Sequence, residues 1–305
     1  IREHLLEIMQ KGSFPKPDYV LKTRSFASWD YKRITAIRKA TMFWIEIQEE
    51  LGYDILVHGE MERGDMVAYF GETIEGMRPG DPKEPVRSYG NRFWIPPEIF
   101  KKVRRGNSLT IDSWKYAQSL TKKPVKGMLT GPGTIYDWSI DLYYGNRERA
   151  VMDIAYALRK EIEELYASGA KYIQIDEPSL AHIPDIEVLS KALKIMTEDI
   201  PAYFILHTCY GSEIFKNIYP QMLKFPVNNL DLELANNNFS FLETIKQYPI
   251  EKDLSIGVVD VHSHNIESVE LVRDRIKIAQ EIIPEDKLWI DPDCGLKTRT
   301  VEEAI

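Results

Sequence analysis

The chain contains two cysteines, Cys209 and Cys294, and six histidines. Cys209 lies in His207-Thr-Cys209, and residues two apart fall on one side of an extended segment. Cys294 lies in Asp291-Pro-Asp-Cys-Gly295. One imidazole and two thiolates form a borderline-soft donor set suited to zinc. The fourth position is open to an acidic residue, water or a substrate thiol, and Glu233 is the protein candidate. Zinc in such a setting either ionises water or holds and ionises a thiol. A free thiol of pKa about 8.5 is mostly protonated at neutral pH, and only the thiolate is nucleophilic. Two cysteinates and a glutamate around a divalent ion leave a net negative charge. That blunts its pull on water and keeps a bound sulfur electron-rich, so the set favours thiol activation over hydrolysis.

Carboxylates supply the second theme. Asp176-Glu177-Pro178 invites a reading as the acid and base of a glycosidase, but neighbouring residues point to opposite sides of a strand. Glu60 and Asp176, from different segments, are instead expected to converge on a substrate ammonium through charge-assisted hydrogen bonds. Asp260 and His262 form another reactive pair, and Tyr136 and Trp138 follow Gly131-Pro-Gly-Thr134 where an aromatic face can stack on a flat ring.

All these residues follow short apolar runs: residues 54–59 (DILVHG), 125–130 (VKGMLT), 171–175 (KYIQI), 202–207 (AYFILH), 229–232 (NLDL), 254–259 (LSIGVV) and 287–290 (KLWI). Such runs fit strands buried on both faces. Helical patterns over 147–168, 186–199 and 266–283 separate several of them, which predicts parallel strands with helical crossovers. With an eighth strand near 11–15 (KGSFP), the expectation is an α/β chain folded as a (β/α)8 TIM barrel, a single domain over residues 1–305. Residues 1–11 read as an amphipathic helix. The connection from 61 to 123, inserted after the second strand, is long enough to be a functional or disordered loop on the carboxyl face. Barrel enzymes draw their chemistry from that face, and there the candidate residues gather.

Composition narrows the partners. Thirty-nine basic and 47 acidic residues give a net charge of −8, against nucleic acid or anionic membrane as partner. No apolar stretch approaches the roughly 18 residues needed to span a bilayer. Two cysteines kept as thiols or ligands fit a cytoplasmic protein.

Long motifs resemble one family, cobalamin-independent methionine synthase, specifically its C-terminal catalytic barrel. They are Gly12-Ser-Phe-Pro15, Val57-His-Gly-Glu-Met-Glu-Arg-Gly-Asp-Met66, Tyr69-Phe-Gly-Glu72, Ser88-Tyr-Gly90, Lys123-Pro-Val-Lys-Gly-Met-Leu-Thr-Gly-Pro132, Ile173-Gln-Ile-Asp-Glu-Pro178, His207-Thr-Cys-Tyr210, Val259-Asp-Val-His-Ser263 and Trp289-Ile-Asp-Pro-Asp-Cys-Gly-Leu-Lys-Thr-Arg299. The resemblance implies one zinc per chain held by His207, Cys209, Glu233 and Cys294. It implies homocysteine held by Glu60 and Asp176, with Ser13 near its carboxylate, and methyl transfer to the zinc-bound thiolate to give methionine. Trp138, Ser88 and Tyr89 would face the methyl donor, and His262, with Asp260, would deliver a proton to its leaving nitrogen.

Departures from the family pattern bear on the donor. The second, N-terminal barrel of the long enzymes is not in this sequence, as in short single-barrel archaeal and bacterial forms. Leu234-Ala-Asn-Asn237 replaces a Ser- and Arg-containing stretch, His264-Asn265 replaces Pro-Arg, and Asn91 replaces serine. Expected donors are therefore a methyltetrahydropterin or folate, or methylcobalamin on a corrinoid protein, and a separate N-terminal-type subunit is a candidate partner. A zinc methyltransferase for another thiol, of the coenzyme M type, and a non-catalytic zinc-containing partner subunit are the alternatives.

Overall fold

The computed structural model describes residues 6–87 and 93–305. Eight short strands close a barrel: β1 (Glu7–Ile8), β2 (residues 55–56), β3 (Gly127–Thr130), β4 (Tyr172–Asp176), β5 (Tyr203–Gly211), β6 (Asn229–Glu233), β7 (Asp253–Gly257) and β8 (Leu288–Asp291). Seven form one parallel sheet in the order β1-β8-β7-β6-β5-β4-β3. β2 completes the ring through single parallel bridges, Met9 to Ile55 on one side and Leu56 to Val125 on the other. The expected (β/α)8 architecture is borne out.

Capping sets the helix limits. Helices Arg147–Ala167, Ile186–Thr197 and Val269–Gln280 begin where Asn146, Asp185 and Ser268 accept a backbone N–H of the first turn. Ser268 thus starts its helix three residues later than the apolar pattern suggested. Helix Tyr31–Glu50, capped by Asp30, buries Ala40, Thr41, Trp44, Ile45 and Gln48 along one face. Gln48 accepts from Val57 N–H and donates to Val57 C=O, both at 2.9 Å, pinning the chain just after β2. Trp44 stacks on Phe14 at 4.2 Å and donates its indole N–H to Pro15 C=O, which fixes the loop after β1.

Two expectations about the amino end fail. Residues 7–8 are strand where a helix was expected, and residues 11–15 form the loop beyond that strand. The charged residues of this segment suggested a solvated helix face, whereas Lys11 is buried at 2% exposure in the barrel interior. The long connection is also ordered over its described residues. It contains helices Ala68–Thr73 and Ile111–Ser119 and strands Glu75–Arg78 and Glu98–Arg104, which join Ile140–Asp141 in a three-stranded sheet.

The barrel interior is layered. Met9, Ile55, Ile205 and Trp289 form an apolar plug, with Tyr203 stacked on Trp289 at 5.0 Å. Two residues further along their strands come Lys11, His207 and Asp291, joined by Asp231, which is in register with His207. Lys11 pairs with Asp231 and, at 3.0 Å, with Asp291. Lys126, fully buried, donates to Gln174, and burial pulls its pKa down to about 7. Interiors of this fold are usually filled by branched apolar side chains, so this ionic layer is a departure with a purpose to be found at the rim above it.

Candidate metal and substrate site

β5 carries His207 and Cys209. Its ladder to β6 pairs Thr208 with Leu232 and then Gly211 with Glu233, so Cys209 and Tyr210 bulge out of register. Tyr210 takes φ 78°, a left-handed conformation costly for a side-chain-bearing residue and typical of functional sites. Cys209 Sγ then stands 3.2 Å from His207 Nε2 and 3.7 Å from Cys294 Sγ, and Cys294 Sγ is 3.7 Å from the same nitrogen. With a Glu233 carboxylate oxygen, the four ligand atoms lie within 4.8 Å of one another.

These distances test the fit of a metal. Zinc bonds of about 2.3 Å to sulfur and about 2.0–2.1 Å to nitrogen, at tetrahedral angles, place sulfurs about 3.8 Å apart and sulfur about 3.5 Å from nitrogen. The observed sulfur–sulfur edge of 3.7 Å lies close to the first value, and the sulfur–nitrogen edges of 3.2 and 3.7 Å bracket the second. Burial holds His207 well below its ordinary pKa, as the neutral imidazole a metal needs. The Cys294 neighbour and burial hold Cys209 well above its own, a thiol that only a bound cation would ionise. Glu233 Oε1 is buried without a hydrogen-bond partner, an acceptor that calls for a cation. The donor set fits zinc.

The loops are locked to keep this geometry. Asp293 accepts from the backbone N–H groups of Leu234, Ala235 and Asn236 at 2.8–3.0 Å, tying the loop after β6 to the one that carries Cys294. Gly257 makes room for it, since a Cβ there would meet Asp293 Oδ1 at 2.1 Å. Asn236 donates to Glu233 Oε2 at 2.6 Å, so the departing Leu-Ala-Asn-Asn stretch braces a donor residue. His262 Nε2 lies 3.3 Å from the same oxygen. Burial works to lower the His262 pKa, but the Glu233 carboxylate outweighs it and raises it. Asp260 Oδ1 accepts the backbone N–H of His262 at 2.9 Å and so shapes the turn that presents the imidazole.

Across the rim stand the carboxylates. Glu60 follows Gly59 in a turn where both have positive φ, 85° and 57°. Buried Arg63 donates to Glu60 at 3.1 Å and to Met128 C=O at 2.8 Å. Asp176 accepts from Gln174 at 2.7 Å, and burial together with the Glu60 charge pushes its pKa up to about 7. Glu177 points the other way, as the pleat requires. It accepts from Gly133 N–H, Thr134 N–H and Thr134 Oγ at 2.8–2.9 Å, anchoring helix Pro132–Asp137. Ser13, 7% exposed, sits against the Cys294 loop: its C=O accepts from Leu296 N–H, and a Cβ at Gly295 would meet its Oγ at 2.0 Å.

Trp138 ends helix Pro132–Asp137, half-buried, and its ring meets Trp94 at 5.9 Å. Trp94 lines a groove of about 1380 Å³ whose walls include Pro15, Lys16 and Lys297. Ser88 and Tyr89 lie outside the described residues. His264, one of the departures, pairs with Glu303 at the surface. Sequence reasoning missed Arg63, Asp231, Asp293 and Asn236. Asp293 was in plain view beside Cys294, and its role as a loop clamp shows only once two strand ends meet.

The family described as "Cobalamin-independent synthase, Catalytic domain" matches residues 10–305, and the chain belongs to it. It is 38% identical to a Bacillus licheniformis protein named 5-methyltetrahydropteroyltriglutamate–homocysteine methyltransferase, over 99% of this chain and 41% of that protein. A Saccharophagus degradans protein of the same name is 40% identical over 96% of this chain and 40% of its own length. The chain thus spans about two fifths of these curated relatives. The B12-independent methionine synthase of Shewanella sp. W3-18-1, solved in complex with selenomethionine, superposes with a TM-score of 0.84 at 25% identity, covering 98% of this chain and 94% of that one. A methyltransferase of Methanosarcina mazei shares the fold alone, at a TM-score of 0.60 and 13% identity over 96% of this chain and 91% of that one. One expectation is overturned. Membership of a cobalamin-independent family removes methylcobalamin, and with it a corrinoid protein, from the candidate donors.

Proposed function

We propose that this chain is a zinc methyltransferase that moves a methyl group from a methyltetrahydropteroyl-oligoglutamate to the sulfur of L-homocysteine, giving L-methionine. The observation that carries the reading is the pairing of a four-donor cluster, His207, Cys209, Glu233 and Cys294, with a buried carboxylate pair on one barrel rim. Zinc, when bound there, would hold the substrate sulfur and favour its ionised form.

The chain's own residues do the rest. Glu60 and Asp176 take the amino group, and its positive charge relieves the repulsion between them. Ser13 lies near the carboxylate end. A thiol lacking an amino group would leave that pair uncompensated, which favours homocysteine over acceptors of the coenzyme M type. Trp138 offers a face to the pterin ring. His262 supplies a proton to the pterin nitrogen as its bond to the methyl carbon breaks. The bonding pair stays on nitrogen, the sulfur pair forms the new carbon–sulfur bond, and the thiol proton balances the one taken up. Two cysteines that must remain reduced favour a reducing compartment such as the cytoplasm. Among the described residues no helix is long and apolar enough to cross a membrane.

The test supplies zinc-loaded protein with homocysteine and donor labelled in its methyl group. Labelled methionine should form with the wild-type chain and not with Cys294→Ser. Equal yields from the two, or none from either, would refute the assignment.

A further inference from the structure

The ionic layer beneath the rim has no role in the chemistry above, and its geometry supplies one. His207 faces the sulfurs with Nε2, so Nδ1 points away from the donor cluster. Nδ1 is buried and makes no hydrogen bond, and Asp231 Oδ2 stands 3.6 Å from it. That separation exceeds a hydrogen bond by roughly half an ångström, and a small side-chain rotation closes it. His207 and Asp231 are direct partners across the β5–β6 ladder, so the two side chains leave the barrel wall side by side. Asp231 is fully buried, its two carboxylate oxygens make no hydrogen bond among the described residues, and what holds them is the ammonium of Lys11. Lys11 also bridges to Asp291, so two strands position one cation under the imidazole.

We propose that Asp231 is the positioning residue for His207: it accepts the Nδ1 proton, which fixes the tautomer that leaves the Nε2 lone pair directed at the metal. This role rests on the zinc reading for its purpose, whereas the tautomer itself can be measured without the metal. A metal-bound imidazole whose other nitrogen donates to a carboxylate is held in one orientation and is a stronger base. A buried lysine–carboxylate pair is costly to assemble, and here it holds Asp231 beside the imidazole without exposing it to water.

The experiment has two arms. In zinc-free wild-type protein, ¹⁵N NMR of the imidazoles, with His207 assigned by its loss in His207→Gln, should show the proton on Nδ1. Chelator competition should then show Asp231→Leu holding zinc about 10- to 100-fold more weakly than wild type, with Asp231→Asn between the two because its amide oxygen still accepts. In the leucine variant Lys11 retains Asp291. A proton on Nε2 in the wild-type protein overturns the proposal, and that measurement needs no variant to fold. Wild-type zinc affinity in folded Asp231→Leu overturns it equally. Failure of the wild-type protein to bind zinc more tightly than Cys294→Ser would sink the metal reading instead, leaving the tautomer to decide this one.

Discussion

Two corners of the rim face the same opening and handle charge differently. At the β5–β6–β8 corner the donors are a neutral imidazole, two cysteine sulfurs, of which Cys209 is held protonated by its Cys294 neighbour and burial, and a carboxylate with a bare oxygen. At the β2–β4 corner two carboxylates already have Arg63 and Gln174 as partners, yet Asp176 still has its pKa raised to about 7. The first corner holds a buried Glu233 oxygen with no hydrogen-bond partner among the described residues, beside two sulfurs and an imidazole, and suits a divalent ion. The second is short by one positive charge and suits an ammonium. Borderline-soft and hard ligands are thus sorted across one barrel by what each strand end presents.

Removing a donor from the first corner should give the largest effect. Cys294→Ser or His207→Ala should lose most of the tightly held zinc while the barrel stays folded, because the apolar core does not depend on the metal. Metal analysis with circular dichroism checks both halves, and full zinc retention would break the contrast. Next, His262→Asn should lower kcat by about 10²–10⁴-fold with zinc content unchanged, the range expected for loss of a positioned acid. A loss confined to KM for homocysteine would place the histidine in binding.

The second corner should respond more modestly and with a different signature. Asp176→Asn should weaken homocysteine by roughly 10- to 100-fold, below the full cost of stranding a buried charge because Glu60 remains. A thiol without an amino group should be almost unaffected. An ammonium needs ionised Asp176, whose pKa in the free enzyme is raised to about 7. Homocysteine should therefore gain affinity over the amino-free thiol as pH rises through about 7, and lose it as pH falls. Equal losses for both thiols, or a flat pH ratio, would erase the distinction between the corners. The smallest effect concerns the residue behind Asp176. Glu177→Gln should cost about 1–3 kcal/mol in thermal unfolding, since an amide cannot satisfy all three donors. Zinc content should not move.

Much of this was legible because strand ends are where apolar runs stop. His207, Cys209, Glu233 and Cys294 each follow such a run, and the opposite facing of Asp176 and Glu177 follows from the pleat alone. What was hidden depends on closure of the barrel. Lys11 looks like a surface residue until β1 meets β8 and encloses it with Asp231 and Asp291. β2 was visible as an apolar run, although only single bridges hold it, and the chain after it is pinned by Gln48 from a helix that local pattern did not single out. The register skip at Cys209 and Tyr210 is likewise a property of two strands, not of one.

The most direct test of the central claim is zinc-edge X-ray absorption on the loaded protein, with and without saturating homocysteine. Two sulfur neighbours are expected in the resting protein, from Cys209 and Cys294, and three once homocysteine is bound. A sulfur count that stays at two in the presence of substrate would contradict it.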